Sequence, residues 1–269
     1  MEDFVYYAPT KVIFGRKAEE KVGELVKAQG CKKVLIHYGG HSACRSGLLD
    51  RVEQSLDASG VAHVELGGVV PNPRLSLVYQ GIELARSEGV DFILAVGGGS
   101  VSDCCKVISG AFDTLSHAME TYFGKPDENN LSDDINEAVM RSVIRNIRIL
   151  LTDPENYDAR SELAWASAMA ENGVLKIGKV TDFQAHQIQH QLGAYTDCNH
   201  GAGLAVIHPV LYRHIYKSGA ARFARFAQNV WGIAPRDSDE ETAAAGIDAL
   251  AAFIKEIGLP TSFAELGIP

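Results

Sequence analysis

Three histidines fall close together as His186-x3-His190-x9-His200, with Gly201 following at once, and an earlier Asp113-x3-His117 pair supplies a second half-site. Positions four apart on a helix share one face with neighbouring Cβ atoms, so each pair can aim at a single ion. Three imidazoles and a carboxylate suit iron, zinc, cobalt or nickel better than magnesium or calcium. The histidine segment reads His186-Gln187-Ile188-Gln189-His190. Lacking the glutamate of HExxH, it has no general base for a zinc protease, and no G-x-S-x-G elbow supports a serine hydrolase. Cys198, beside His200, has the chemistry of a ligand or thiol nucleophile, although such a cysteine is more often a small buried residue. His37, His63, His208 and His214 stand alone in sequence and read as ordinary core or surface histidines.

A second constellation has the pattern of a phosphate site, its alternative being a tight strand-to-helix turn that binds nothing. The apolar run Phe92–Val96 leads into Gly97-Gly98-Gly99-Ser100 and then a helical pattern with Asp103 in its first turn. Strand, glycine loop and helix N-terminus together form an anion site, because glycines let backbone N–H groups approach and the helix dipole favours negative charge. No Gly-Lys-Ser/Thr follows, so hydrolysis of a nucleoside triphosphate is not indicated. An earlier loop, Gly39-Gly40-His41-Ser42, also follows a strand. Tyr38, His41 and Ser42 are not acidic, which removes a repulsion against a 2′-phosphate and favours NADP over NAD.

The elements that must carry these residues change character near residue 100. Before it, strand signals at Lys11–Gly15, Val34–Ile36, 61–69 and Phe92–Val96 alternate with helical stretches at 17–29, 44–59 and 74–89. This βαβ rhythm implies a parallel sheet, although a dinucleotide-binding sheet usually has more strands. After it, the segments 111–123, 131–152, 155–174, 180–195, 201–216, 219–230 and 238–257 carry apolar residues at helical spacing. The expected organisation is a truncated Rossmann-like domain over 1–108 and a helical metal-binding domain over 109–269.

The chain has 269 residues, a net charge of −9 and five cysteines without a CxxC pair. The charge argues against nucleic acid and anionic membranes as partners. The odd cysteine count indicates neither a disulfide framework nor a zinc ribbon. No apolar run is long enough to span a bilayer and the first residues lack a signal-peptide profile, so a cytoplasmic protein is expected.

Taken together, Pro9-Thr-Lys-Val-Ile-Phe-Gly15, Pro71-Asn-Pro73, Gly97-Gly-Gly-Ser-Val-Ser-Asp103, Asp113-Thr-Leu-Ser-His-Ala-Met-Glu120 and His186-x3-His190-x9-His200-Gly resemble the iron-containing alcohol dehydrogenases, in particular the butanol-dehydrogenase-like branch. The resemblance implies the dehydroquinate synthase-like architecture of that family: an α/β Rossmann-like domain with a parallel sheet, then an all-α domain, with metal and nicotinamide in the cleft between. It implies Asp113, His117, His186 and His200 as ligands of a divalent metal, Fe²⁺ by family with Zn²⁺ as the rival, and His190 as the catalytic histidine near substrate and nicotinamide. It assigns Gly97, Gly98, Gly99, Ser100 and Asp103 to the pyrophosphate, and Gly39, Gly40, His41, Ser42 and Asn72 to the rest of the NADP or NAD. The implied reaction is oxidation of small primary alcohols, or reduction of aldehydes such as butanal, by a homodimer. A lyase resembling dehydroquinate synthase shares the fold, but the Asp-plus-three-His set favours the dehydrogenase.

Two departures from the family pattern bear on activity. Relatives carry several tens of residues between the helix after the glycine loop and the Asp-x3-His segment, whereas here Lys106-Val-Ile108 passes directly into Ser109-Gly-Ala-Phe-Asp113, and the chain ends earlier. One unbroken helix over 100–117 would hold Ser100 and Asp113 about 20 Å apart. Ser109-Gly110 offers a break that would return the metal helix toward the glycine loop. The alternative to an active enzyme is a catalytically impaired remnant that binds metal or nucleotide without turnover.

Overall fold

The computed structural model describes residues 3–39, 41–70, 74–97, 104–181 and 183–268, with only the backbone described at 41–42 and 104–107. The chain divides into two compact units, Pro9–Ser102 and Met1–Ala8 with Asp103–Pro269.

In the first unit, α1 (Val22–Ala28), β1 (Lys33–Tyr38), α2 (His41–Arg45), α3 (Leu48–Ala58), β2 (Ala62–Leu66), α4 (Leu75–Glu88) and β3 (Phe92–Val96) alternate as the sequence rhythm predicts. Among the described residues the sheet has the order β2-β1-β3, and both pairings are parallel. The central strand is apolar because it is covered on both faces: Val34, Leu35 and Ile36 are all buried. One face packs on Val26, Leu49, Val52 and Leu56 of α1 and α3. The other face is thinner, since α4 buries none of its residues and Ile93 of β3 is 67% exposed.

Lys11–Gly15, expected as a strand, is irregular. A strand needs a ladder partner for its backbone groups. β1 is already flanked by β2 and β3, and Val12 and Phe14 stand exposed rather than packed.

The second unit is helical: α5 (Cys104–Tyr122), α6 (Leu131–Thr152), α7 (Tyr157–Glu171), α8 (Gln184–Thr196), α9 (His200–Ile215), α10 (Ala220–Trp231) and α11 (Asp239–Glu256). Its core is one continuous cluster, to which α5 contributes Phe112, Leu115, Met119 and Tyr122, all fully buried at the 3.6-residue spacing of a single stripe. α6 starts at a capping box in which the Asn130 side chain accepts from the Asp133 N–H (3.2 Å) and Asp133 accepts from the Asn130 N–H (3.1 Å). The break expected at Ser109-Gly110 does not occur, and α5 runs through it. A mid-helix glycine costs only about 1 kcal/mol against alanine, which the packing of a nineteen-residue helix outweighs.

Candidate metal centre

The buried stripe of α5 fixes where its other face points. Asp113, His117 and Glu120, at i, i+4 and i+7, form a second stripe beside the core-facing one. On α8, His186 and His190 occupy one face in the same way. The chain then reverses. Asp197 closes α8 in the left-handed conformation (φ 58°), and the Asn199 side chain accepts from the Ala202 N–H (3.0 Å) to start α9 at His200. Gly201 brings α9 against α5 so closely that a Cβ at that position would lie 2.0 Å from the Ser109 carbonyl oxygen.

The result is convergence on one atom. Asp113 Oδ1 lies 3.2 Å from His186 Nε2, 3.5 Å from His200 Nε2 and 3.7 Å from His117 Nε2. Donor atoms bonded at about 2.0–2.2 Å to one tetrahedral ion are about 3.3–3.6 Å apart, so the spacings of His186 and His200 from Asp113 are near those of ligands of one divalent cation, and His117 at 3.7 Å lies just beyond. Donors of Asp113, His186 and His200 all lie within 4.8 Å of one another. His117 stands at the edge of the group, with Nε2 also 3.0 Å from Glu171 Oε1 at the end of α7. His190 stacks on His200 with ring centroids 5.4 Å apart and an interplanar angle of 22°.

Charge at the site follows this geometry. Burial disfavours a charged Asp113, but hydrogen bonds from His186 and His200 outweigh it and hold the carboxyl well below the usual carboxylate range. Burial likewise opposes a proton on His186, yet Asp113 on one ring nitrogen and Glu120 on the other raise its pKa to about 9. His117 goes the other way, to about 4, because burial and the nearby charge of His186 both disfavour its protonation. Burial and Asp113 raise Glu171. The pocket thus gathers negative charge around one oxygen and pays for it with protons that a cation would displace.

Sequence spacing left two of these acids without a role. Glu120 was detectable from its position seven residues after Asp113, on the same helix face. Glu171 arrives from another helix and has no local signal.

Of the nucleotide-loop residues, Gly39 and Gly97 directly follow β1 and β3, where Tyr38 pairs with Val96, so both loops leave the same carboxyl edge of the sheet. Ligands bind at this edge in open parallel sheets. His41 and Ser42 open α2, while Gly40, Asn72, Gly98, Gly99, Ser100 and Asp103 lie outside the described residues. An acidic group does approach the end of β1: Glu65 on β2 is close enough to raise Tyr38, whose partial burial acts in the same direction and more strongly.

Comparison with known proteins covers the chain from residue 9 to its end. The profile described as iron-containing alcohol dehydrogenase matches residues 9–138, and that described as Fe-containing alcohol dehydrogenase family, C-terminal, matches residues 107–269. NADH-dependent butanol dehydrogenase A of Clostridium acetobutylicum is 30% identical over 351 residues, spanning 100% of this chain and 90% of the relative. NADPH-dependent aldehyde reductase YqhD of Escherichia coli is 26% identical over 353 residues, with the same coverage of 100% and 90%. The crystal structure of NADH-dependent butanol dehydrogenase A from Thermotoga maritima matches with a TM-score of 0.95 at 28% identity, covering 100% of this chain and 88% of that one. The aligned stretches are longer than this chain's 269 residues, so the relatives carry residues that have no counterpart here. Matched along its length in sequence and in fold, the chain belongs to the iron-containing alcohol dehydrogenase family, an oxidoreductase family of NAD(P)-linked alcohol dehydrogenases and aldehyde reductases.

Proposed function

We propose that this chain is a metal-dependent, NAD(P)-linked dehydrogenase or reductase of small primary alcohols and aldehydes such as butanol and butanal. The observation that carries the reading is the convergence of three imidazole Nε2 atoms on Asp113 Oδ1. Asp113, His117, His186 and His200 would hold a divalent ion, Fe²⁺ or Zn²⁺, which would supply Lewis acidity at the alcohol or carbonyl oxygen, with hydride chemistry supplied by a bound nicotinamide.

The remaining work falls to the chain's own groups. His190 is exposed beside His200, and partial burial and the neighbouring His200 and His186 lower its pKa, so at neutral pH it is an uncharged acceptor for the alcohol proton. Gly39–Ser42, Asn72, Gly97–Ser100 and Asp103 would hold the nucleotide, a reading supported by the family resemblance and, for Gly39 and Gly97, by their place at one edge of the sheet. The lack of an acid at Tyr38 favours NADP, and Glu65 beside it is the group that would oppose a 2′-phosphate.

The test is oxidation of NADPH and of NADH with butanal, with and without added Fe²⁺ or Zn²⁺. Turnover should require metal, stop on chelation, and fall roughly a hundredfold or more in His186→Ala and His200→Ala, at or beyond the upper end of outer-shell changes. Activity unchanged in both variants would exclude the metal role. The residues this chain lacks relative to its relatives support one rival reading, an impaired family member. Tight metal binding with neither turnover nor nicotinamide binding would establish it.

A further inference from the structure

Glu120 is the most enclosed carboxylate near the centre, only 6% exposed, and among the described residues none of its partners is a Lys or Arg side chain. Its Oε1 accepts from the Ala185 N–H at 2.6 Å. Its Oε2 accepts from the His186 N–H at 3.3 Å and also from His186 Nδ1. Two needs of α8 meet in this one group.

The first is the helix start. The opening N–H groups of a helix lack intrahelical partners. The N-cap residue here is Phe183, in the left-handed region (φ 51°), and it makes no side-chain cap hydrogen bond. Ala185 and His186 are the second and third residues of α8, so Glu120 supplies from α5 the acceptor that a local Ser, Asp or Asn would ordinarily provide.

The second is the orientation of one imidazole. With Nδ1 committed to Glu120, the proton of a neutral His186 sits on Nδ1, and Nε2 is the nitrogen left for Asp113 Oδ1 at 3.2 Å. His117 has no such support, for its Nδ1 is buried without a hydrogen-bond partner.

We propose that Glu120 is the positioning residue of the metal centre, a carboxylate that caps α8 across the helix interface and locks His186 in the Nδ1–H tautomer with Nε2 turned to the ion. It is not itself a ligand. The inference rests on the metal-site reading above. Outer-shell carboxylates on metal-bound histidines act this way generally, and their loss costs about 10–100-fold in metal affinity.

The experiment uses the full chain with Zn²⁺ and Co²⁺ as probes, comparing wild type with Glu120→Ala, Glu120→Gln and His186→Ala. Affinity is read by chelator competition, the ligand field by the Co²⁺ absorption spectrum, and the tautomer by ¹⁵N shifts of the His186 ring in the Zn²⁺ form. Glu120→Ala should weaken Zn²⁺ about 10–100-fold and alter the Co²⁺ spectrum. Glu120→Gln, which keeps a carbonyl acceptor of the same length, should recover part of the affinity. Should the alanine variant fail to fold, the glutamine variant still decides: reduced affinity with an unchanged unfolding midpoint supports positioning. Wild-type affinity, spectrum and tautomer in Glu120→Gln and in any folded Glu120→Ala would overturn it. That failure is distinct from failure of the site itself, which would appear as no Zn²⁺ binding by wild type, or as binding that survives His186→Ala.

Discussion

His208 lies fully buried on α9, with one hydrogen bond between Nε2 and Ser116 Oγ (2.6 Å) and no partner for Nδ1. Burial dominates and pushes its pKa down to about 4, against the pull of Glu120. An unfolded imidazole titrates near pH 6.5, so below that value the unfolded chain binds a proton that the native state refuses. The stability tied to neutral His208 is therefore complete above pH 6.5 and lost as pH falls toward 4. At pH 5 the loss amounts to about 2 kcal/mol. Urea unfolding of the metal-free protein should show wild type losing this much more stability between pH 7 and pH 5 than His208→Gln. Equal losses in the two proteins would mean that His208 does not carry the acid sensitivity. His186 contrasts with it: both histidines are buried, but two carboxylates overcome the burial of His186 and raise its pKa, whereas at His208 burial prevails.

Two glycines separate what a helix tolerates from what a helix pair requires. Gly201 touches backbone: an added Cβ would meet the Ser109 carbonyl oxygen at 2.0 Å and its carbon at 2.7 Å, and neither can rotate away. Gly110 lies one position beyond Ser109 on α5 and would meet nothing within 4 Å. Alanine gains up to about 1 kcal/mol of helix propensity at either position. At Gly110 that gain stands alone, so Gly110→Ala should stabilise by about 0.5–1 kcal/mol. At Gly201 it is outweighed by overpacking worth about 1–3 kcal/mol or more, so Gly201→Ala should destabilise. Because His200 is the preceding residue, Gly201→Ala should also weaken Zn²⁺ binding. Denaturant titration with chelator competition checks both, and a stabilised Gly201→Ala variant with native affinity would contradict the α5–α9 contact.

Across the whole molecule the two units are built to different depths. The helical unit closes one continuous cluster around α5, whereas the sheet unit is well covered by α1 and α3 on one face and loosely by α4 on the other. Opening free energy follows buried apolar contact, so hydrogen exchange should distinguish them. Amides of β3 are expected to exchange on the order of tenfold or more faster than those of the buried α5 stripe, with β1 the slowest of the three strands. Equal protection of β3 and α5 would show that the thin face costs nothing.

Much of this was written in the sequence. The alternation of strands and helices before residue 100, the helical periodicity after it, and the glycine loops after apolar strands are local properties that neighbouring residues impose on one another. The i, i+4 pairs Asp113–His117 and His186–His190 are legible for the same reason, since helix geometry alone puts each pair on one face. Other features needed the packed chain. Lys11–Gly15 has strand composition but no ladder partner among the described residues, and Ser109-Gly110 has the composition of a break but lies in a helix stabilised by its packing. Glu171 meets His117 and Glu120 meets His186 only because separate helices pack together. Sequence thus determined which side chains share a helix face, because that follows from 3.6 residues per turn. Tertiary structure decided which faces meet, and so which nitrogen of each histidine points at Asp113, because that depends on backbone approach between residues far apart in the chain.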